Sequence, residues 1–229
     1  MTKCACEGGA DILVLLISSI FRDMGRSSLT GYMPVVNSNE VVMHFGKHEI
    51  LTLATEVPVI FGLCANDPTI VLENYLDEII SEGFSGIIDY PTVGLIDGNF
   101  RDMLEDANLG YQNEVNAIRL AHEKGLFTIA YVFDSEQAKQ MIDAGADVIC
   151  VQLGLTHCPE DSSKGVTLLE QGIDLLNISH DLKSIIGVWS KAVLKSIIKA
   201  PRGTKEYLMG KFNLSTKTPD EEVAVTDND

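Results

Sequence analysis

Carboxyl groups that could perform acid–base chemistry gather in the middle of the chain. The segment 89–101, which follows a short apolar run, contains Asp89 and Asp97, and Glu114 comes shortly after it. Paired carboxyl groups can act as general acid and general base, or can bind a hard cation such as Mg²⁺. We therefore take Asp89, Asp97 and Glu114 as the catalytic candidates. Turn formation at Asp97-Gly98 would by itself explain Asp97, so that alternative stays open.

Arginine and hydroxyl residues follow the first apolar run of the chain. Arg22, Arg26 and Ser28 lie within seven positions of one another, among glycines and serines. Guanidinium groups and small hydroxyls can bind a carboxylate or a phosphate through paired hydrogen bonds. An ordinary polar loop would have the same composition. Thr156, which follows the last of the apolar runs, is a further substrate-binding candidate.

Asp67 directly precedes Pro68 after the second apolar run. This order is typical of a helix start, with the carboxylate as N-cap and the proline at the first helical position. Capping alone would explain Asp67, and a role as a metal ligand is the alternative. His44 and His48 are four residues apart, but they lack the HExxH pattern, so the sequence does not predict a zinc site there.

These candidates are positioned by an alternation of short apolar runs with amphipathic helices. The runs span residues 11–17, 58–64, 84–88, 126–133 and 147–153, and a further strand is expected within 184–190. The helices are expected at 38–55, 67–83, 111–124, 134–145, 167–183 and 192–199. Continuous apolar runs of strand length indicate parallel strands buried on both faces. The pattern predicts an α/β fold, either a barrel or a doubly wound sheet, in which ligands bind at the carboxyl ends of the strands.

Composition excludes several classes of protein. The 229 residues are 45% hydrophobic and 22% charged, with 17 Lys and Arg against 33 Asp and Glu, for a formal charge of −16. This acidity disfavours nucleic acid and anionic membrane surfaces as partners. No apolar run approaches the ~18 residues of a membrane span. The odd number of cysteines and the absence of a signal-peptide pattern favour a reduced, cytoplasmic protein.

The chain is expected to form a single domain over residues 1–200. Residues 201–229 are expected to be a C-terminal extension. Its last ten residues carry five acidic side chains and no basic one, which is typical of a solvated, disordered tail.

The segment 89–101 reads Asp-Tyr-Pro-Thr-Val-Gly-Leu-Ile-Asp-Gly-Asn-Phe-Arg. It resembles the Asn-Phe-Pro-Thr-Val-Gly-Leu-Ile-Asp-Gly signature of the phosphoenolpyruvate hydrolase-like TIM-barrel family, which also supplies a barrel of a plant tobamovirus-resistance protein. Gly62-Leu-Cys-Ala-Asn-Asp-Pro68 and Ala144-Gly-Ala-Asp147 support the resemblance, which extends over about residues 3–156.

The resemblance implies a (β/α)8 barrel related to the phosphoenolpyruvate mutase and isocitrate lyase superfamily. It implies Mg²⁺, with Asp67 as the candidate ligand, and no nucleotide or organic cofactor. It also implies a small anionic 2-oxo acid or a phosphoenolpyruvate-like ligand at the barrel mouth, stabilised as an enolate. Arg22, Arg26 and Ser28 would then bind the anion, and Thr92 and Arg101 would orient it, together with Thr156.

Departures from the family pattern leave a second hypothesis open. Leu16-Ile-Ser-Ser-Ile20-Phe-Arg22 replaces Tyr-Asn-Ser-Gly-Arg-Phe-Arg, and Gln152 stands where a histidine is usual. The first strand and the last barrel units are not recognisable. The chain is therefore expected to form an incomplete barrel, whose unpaired strand edges and exposed apolar surface predict a homo-oligomer. An inactive homologue that acts by interaction is the alternative to an enzyme.

Overall fold

A computed structural model describes residues 2–152 and the backbone of residues 184–187. Its helices are α1 (Thr2–Glu7), α2 (Ile17–Asp23), α3 (Ser38–Phe45), α4 (Leu72–Ser81), α5 (Gly98–Asp106), α6 (Gln112–Glu123) and α7 (Ser135–Asp143). Its strands are β1 (Leu13–Leu15), β2 (Val59–Leu63), β3 (Gly86–Asp89), β4 (Phe127–Val132), β5 (Val148–Gln152) and β6 (Ser184–Gly187). Thr156, the helices expected at 167–183 and 192–199, and the acidic tail lie outside the described residues.

The strands form one parallel sheet in which each strand pairs with its neighbour in sequence, in the order β1-β2-β3-β4-β5-β6. A doubly wound sheet would reverse its strand order at a switch point. The unreversed order is that of a (β/α)8 barrel, of which the described residues supply six strands. The prediction of an α/β, incomplete-barrel fold is therefore confirmed.

The core lies between this sheet and the helices around it. Every residue of β2, β3 and β4 is buried, as expected for strands covered on both faces. Amphipathic helices cover the outer face; in α4, for example, Leu76 and Ile79 are buried while Asp77 and Glu78 are exposed. In the described part of the chain, no helix is long and apolar enough to cross a membrane.

Two helices occupy segments that the sequence predicted to be loops. Residues 17–23 form α2, which places Ser18 and Ser19 against the barrel, and residues 98–106 form α5. Both helices are short, and α5 buries none of its residues although Phe100, Met103 and Leu104 recur at helical spacing. The predicted helix 38–55 is divided into α3 and a π-helical turn over Gly46–Ile50.

The prediction that Asp67 caps the following helix is wrong. The N-cap residue of α4 is Val71, and the helix begins at Leu72, four residues after Pro68. The Asp67 carboxylate instead accepts hydrogen bonds from the backbone and side chain of Thr69. Asp134 does cap α7 as expected, because its side chain accepts the Gln137 N–H at 2.8 Å.

Candidate functional site

The parallel register brings the residues that follow β1, β3 and β4 to the same end of the barrel. Asp89 closes β3 and pairs in register with Leu63 of β2. Tyr90 follows it, and its ring lies edge-on to Tyr131 of β4, with ring centroids 6.1 Å apart. Ser18, in the first turn of α2 after β1, has a side chain close to the Tyr90 hydroxyl. We call this end of the barrel the mouth.

Two of the predicted carboxyl groups meet beneath the mouth. Asp89 is 2% exposed and Glu114 is 0% exposed, and their carboxyl groups lie within hydrogen-bonding reach of each other. Asp89 Oδ1 accepts the Tyr131 N–H at 2.6 Å, and Glu114 Oε1 accepts the Val93 N–H at 2.7 Å. The pair therefore connects β3, β4, α6 and the segment that follows β3.

Burial shifts the titration of both carboxyl groups. It raises the pKa of Glu114 to about 8, and burial together with the Glu114 charge raises the pKa of Asp89 well above its usual range. Hydrogen bonds from Thr92 and the Val93 N–H, and the charge of Arg101, favour the anionic form of Glu114. These groups make Glu114 the member of the pair that more readily carries the negative charge.

The side chains of Thr92 and Arg101 form hydrogen bonds with the backbone of the segment 92–97, which we call the signature loop. Thr92 Oγ1 accepts the Gly94 N–H at 2.9 Å, and Arg101 Nη1 donates to the Val93 carbonyl at 3.0 Å. Arg101 also pairs with Glu105 through Nε, at 2.6 Å. Thr92 and Arg101 thus hold the loop, and their substrate-binding role stays a prediction.

Arg22 is placed for anion binding by two serines. Its Nη1 donates to Ser28 Oγ and its Nη2 to Ser19 Oγ, both at 3.0 Å. Its charge acts on the Tyr90 hydroxyl, which indicates that the guanidinium lies near the mouth. We call Ser18, Ser19, Arg22, Ser28, Tyr32 and Tyr90 the mouth cluster.

The Tyr90 hydroxyl is the unusual member of the mouth cluster. Tyr90 is 5% exposed, and within the described residues its Oη has no hydrogen-bond partner of acceptable geometry. Ser18 and Tyr32 lie beside it, and a Cβ on Gly31 would come within 3.3 Å of Oη. A buried polar group without a partner costs free energy, so this hydroxyl is a candidate ligand-binding group.

Arg26 and Asp97 do not join the mouth cluster. Both side chains are exposed. Asp97 lines an open cleft of about 550 Å³ between the signature loop and α7, together with Glu105, Asp134 and Glu136. The predicted juxtaposition of Asp89, Asp97 and Glu114 therefore applies to Asp89 and Glu114, and the catalytic roles of all three stay predictions.

Asp67 is surrounded by neutral hydrogen-bond donors. Its Oδ2 accepts from the side-chain amides of Asn37, at 2.9 Å, and Asn39, at 3.0 Å, and its Oδ1 accepts from the backbone and hydroxyl of Thr69. Burial alone would raise the pKa of Asp67, but the bonds from Thr69, Asn37 and Asn39 outweigh it and hold that pKa below its usual value.

This donor set does not fit the Mg²⁺ that the resemblance implies. The Asp67 oxygens are already bound by amides and a hydroxyl, and the other buried carboxyl groups, Asp89 and Glu114, bind each other. Across residues 2–152, no group of three or more His, Cys, Asp or Glu side chains could hold a metal ion.

Asn39 was not predicted, yet it holds the end of β2 in place. It is 1% exposed, its Nδ2 donates to the Cys64 carbonyl at 3.0 Å, and its Oδ1 accepts the Cys64 N–H at 2.9 Å. We expect Asn39→Asp to lower the free energy of unfolding by about 2 kcal/mol, because it removes two donated bonds and places a second carboxylate beside Asp67. Urea unfolding measures this.

The control for that prediction is Asn74→Asp, the same change at an exposed position of α4. It should leave the urea midpoint nearly unchanged. Equal effects of the two substitutions would show that Asn39 contributes no more than a surface amide.

Other members of the mouth cluster were also missed by sequence reasoning. Ser19 and Arg22 are three residues apart, a spacing that would have indicated a shared helix face had α2 been recognised. Tyr90 follows a predicted strand directly, but a tyrosine in that position is equally compatible with core packing. Tyr32 lies on a short 3₁₀ helix that was not predicted from the sequence.

Known proteins provide the context for this arrangement. The family described as phosphoenolpyruvate hydrolase-like matches residues 1–188. The ToMV resistance protein Tm-1(GCR237) and the ToMV susceptible protein tm-1(GCR26), both of Solanum lycopersicum, are each 42% identical to this chain over 174 residues, which is 76% of the chain. The aligned part is 23% of each relative, so the chain spans about a quarter of their length.

A solved structure of 2,3-dimethylmalate lyase, a PEP mutase/isocitrate lyase superfamily member, aligns with 92% of this chain and 85% of its own. The sequence identity is 12% and the TM-score is 0.49. The family match covers most of the chain and includes the signature loop, the carboxyl pair and Arg22. The chain therefore belongs to the phosphoenolpyruvate hydrolase-like family.

Proposed function

We propose that the chain binds a small 2-oxo or enol acid, or its phosphate, at the mouth and acts on it there. The observation that carries the proposal is the buried Tyr90 hydroxyl, which has no hydrogen-bond partner among the described residues and is acted on by the charge of Arg22. Such a pair offers a hydrogen-bond donor and a positive charge to one anion. Family membership supports an acidic substrate of this size.

Each group has a separate part in the proposed chemistry. Arg22, fixed by Ser19 and Ser28, would attract the carboxylate or phosphate of the ligand. The Tyr90 hydroxyl would donate a hydrogen bond to the 2-oxo oxygen, where negative charge develops as a water molecule from the solvent takes up a proton from C3 and the enolate forms. Because the tyrosine is buried and already oriented, little reorganisation is required. Asp89 and Glu114 are covered by the signature loop, so we propose that they position this group rather than contact the substrate.

Pyruvate and phosphoenolpyruvate are the probes that test the proposal. We expect Arg22→Ala to weaken the binding of either acid at least about tenfold, since a charge-assisted hydrogen bond contributes about 1.5–3 kcal/mol. Isothermal titration calorimetry measures the change. The matched control is Arg119→Ala, which removes an exposed arginine paired with Glu123 on α6. Failure of the wild-type chain to bind either acid would contradict the proposal.

The stabilisation of an enolate can be measured separately from ligand binding. A site of this kind should accelerate the exchange of the methyl hydrogens of pyruvate for deuterium from the solvent, which proton NMR follows directly. Tyr90→Phe removes only the hydroxyl and should reduce that exchange more than it reduces binding. Exchange that is unchanged in Tyr90→Phe would remove the tyrosine from the proposed chemistry.

An interaction protein is the second candidate function. Apolar side chains before α3 are exposed: Leu29 and Met33 by 58%, Val35 by 56% and Val36 by 48%. Contiguous exposed apolar residues often mark an interface. We propose that this surface supports self-association, which light scattering over a range of concentrations tests. A monomer at every concentration would contradict it.

A further inference from the structure

The carboxyl pair under the mouth links the signature loop to the sheet. Glu114 holds the loop through the Val93 N–H, and Asp89 is tied to β4 through the Tyr131 N–H. Tyr90 is the residue after Asp89, so its ring position depends on the backbone that this pair fixes. The carboxyl pair therefore links the position of the signature loop to the position of the Tyr90 hydroxyl, the proposed ligand-binding group.

Each carboxyl group of the pair has one buried oxygen without a hydrogen-bond donor among the described residues. In the part of the chain that the structure describes, no donor of acceptable geometry reaches Asp89 Oδ2 or Glu114 Oε2. Two adjacent carboxylates sealed from water would repel each other strongly. A single O–H between them removes the repulsion and also satisfies the open acceptor positions.

We propose that Asp89 is a positioning residue that donates this proton to Glu114, and that loss of the proton above neutral pH releases the signature loop and with it Tyr90. Only the expected effect on ligand binding rests on the proposed function. Release of the loop is a property of the unliganded chain.

The groups around the pair determine the direction of the effect. Those that act on it from the packed elements are Tyr32, Cys64, Arg101, Tyr111 and Tyr131. Burial raises the pKa of the Cys64 thiol to about 11 and raises the pKa of the tyrosines, so these groups stay neutral when the pair titrates. Arg101 is the cation that favours the Glu114 anion. The positive charge of Arg101 compensates the first negative charge that the carboxyl pair acquires as the pH rises. The second negative charge of the pair is the one that releases the signature loop.

Amide exchange in the unliganded full-length chain tests the proposal. We expect the NMR protection factors of the Val93 and Gly94 amides to fall about tenfold per pH unit once the shared proton is lost. In Asp89→Asn, the side-chain amide supplies a donor that does not titrate, so protection of both amides should stay constant over the same range. The control Asp102→Asn changes an exposed acid on α5 and should behave as the wild type.

Two further measurements keep the proposal falsifiable if Asp89→Asn does not fold. Glu114→Gln should also abolish the pH dependence, because it leaves one carboxyl group in the pair. The infrared spectrum of the wild type should show the carbonyl stretch of a buried protonated acid at neutral pH. Protection factors that do not change with pH in the wild type, or no protonated-acid band, would overturn the inference. Loss of protection with pH in a chain that binds no 2-oxo acid would instead overturn the proposed function alone.

Discussion

Glu114→Ala is expected to lower the free energy of unfolding by about 3–5 kcal/mol, because a buried donor left without its acceptor costs about 1–3 kcal/mol and the cavity adds to that cost. The substitution leaves the Val93 N–H without its acceptor at 2.7 Å and removes the partner of the Asp89 carboxyl group. It also leaves a cavity in place of a fully buried side chain. Urea unfolding followed by circular dichroism measures the change.

Glu114→Gln is the matched control for that substitution. Its amide has nearly the shape of the carboxyl group, and its oxygen can still accept the Val93 N–H. We expect a loss of about 1 kcal/mol, that of an ordinary hydrogen-bond exchange. If alanine and glutamine destabilise the chain equally and by less than this, Glu114 does not hold the signature loop.

Gly86→Ala is expected to lower the free energy of unfolding by about 3 kcal/mol, at the upper end of the range for overpacking a core. A Cβ at Gly86 would lie 2.1 Å from the Phe127 carbonyl oxygen on the neighbouring strand. These two residues are register partners, so the backbone of β3 would have to move away from β4. Because Asp89 lies three residues further along β3, the same movement should also disturb the carboxyl pair.

Gly83→Ala separates this clash from the general effect of replacing a glycine. Gly83 has a φ of +98° and no atom within 4 Å of an added Cβ, so only backbone strain opposes the change. We expect a loss of about 1 kcal/mol. Thermal unfolding of both variants should place Gly86→Ala well below Gly83→Ala. The reverse order would show that β3 and β4 can separate without difficulty.

The segment 89–101 differs from the family signature at two positions that matter for the proposal. This chain has Asp89-Tyr90 where the signature has Asn-Phe. An asparagine amide would give Glu114 a permanent hydrogen-bond donor, whereas an aspartate provides one only while it is protonated. The tyrosine adds the hydroxyl that a phenylalanine lacks. The titrating pair and the unpartnered hydroxyl therefore both follow from these two residues.

Much of the fold could be predicted from the sequence because its signals are local. Buried parallel strands require continuous apolar runs, and the expected segments around β2, β4 and β5 each contain the observed strand, whereas the segment expected for β3 ends one residue before Asp89. The ends of α6 and α7 were also predictable: Gly125 and Gly145 follow them with φ of +82° and +88°, a conformation that favours glycine.

Helices without a buried face and contacts between distant residues could not be predicted in this way. Asp67 looked like a helix cap because capping is a local pattern, but its partners Asn37 and Asn39 are about thirty residues away. The mouth cluster depends on α2, and a helix of seven residues is too short to show a hydrophobic period in the sequence.

The amino-acid sequence alone determined the strand–helix alternation, the family signature and the set of polar residues at the carboxyl ends of the strands. Tertiary structure decided which of those residues meet. Asp89 and Glu114 meet in the interior because β3 and α6 pack together, whereas Asp97 and Arg26 remain exposed. The physical reason is that hydrophobic periodicity in the sequence indicates how deeply a residue is buried. Its protonation state and its partners depend instead on side chains that only the packed barrel brings within hydrogen-bonding distance.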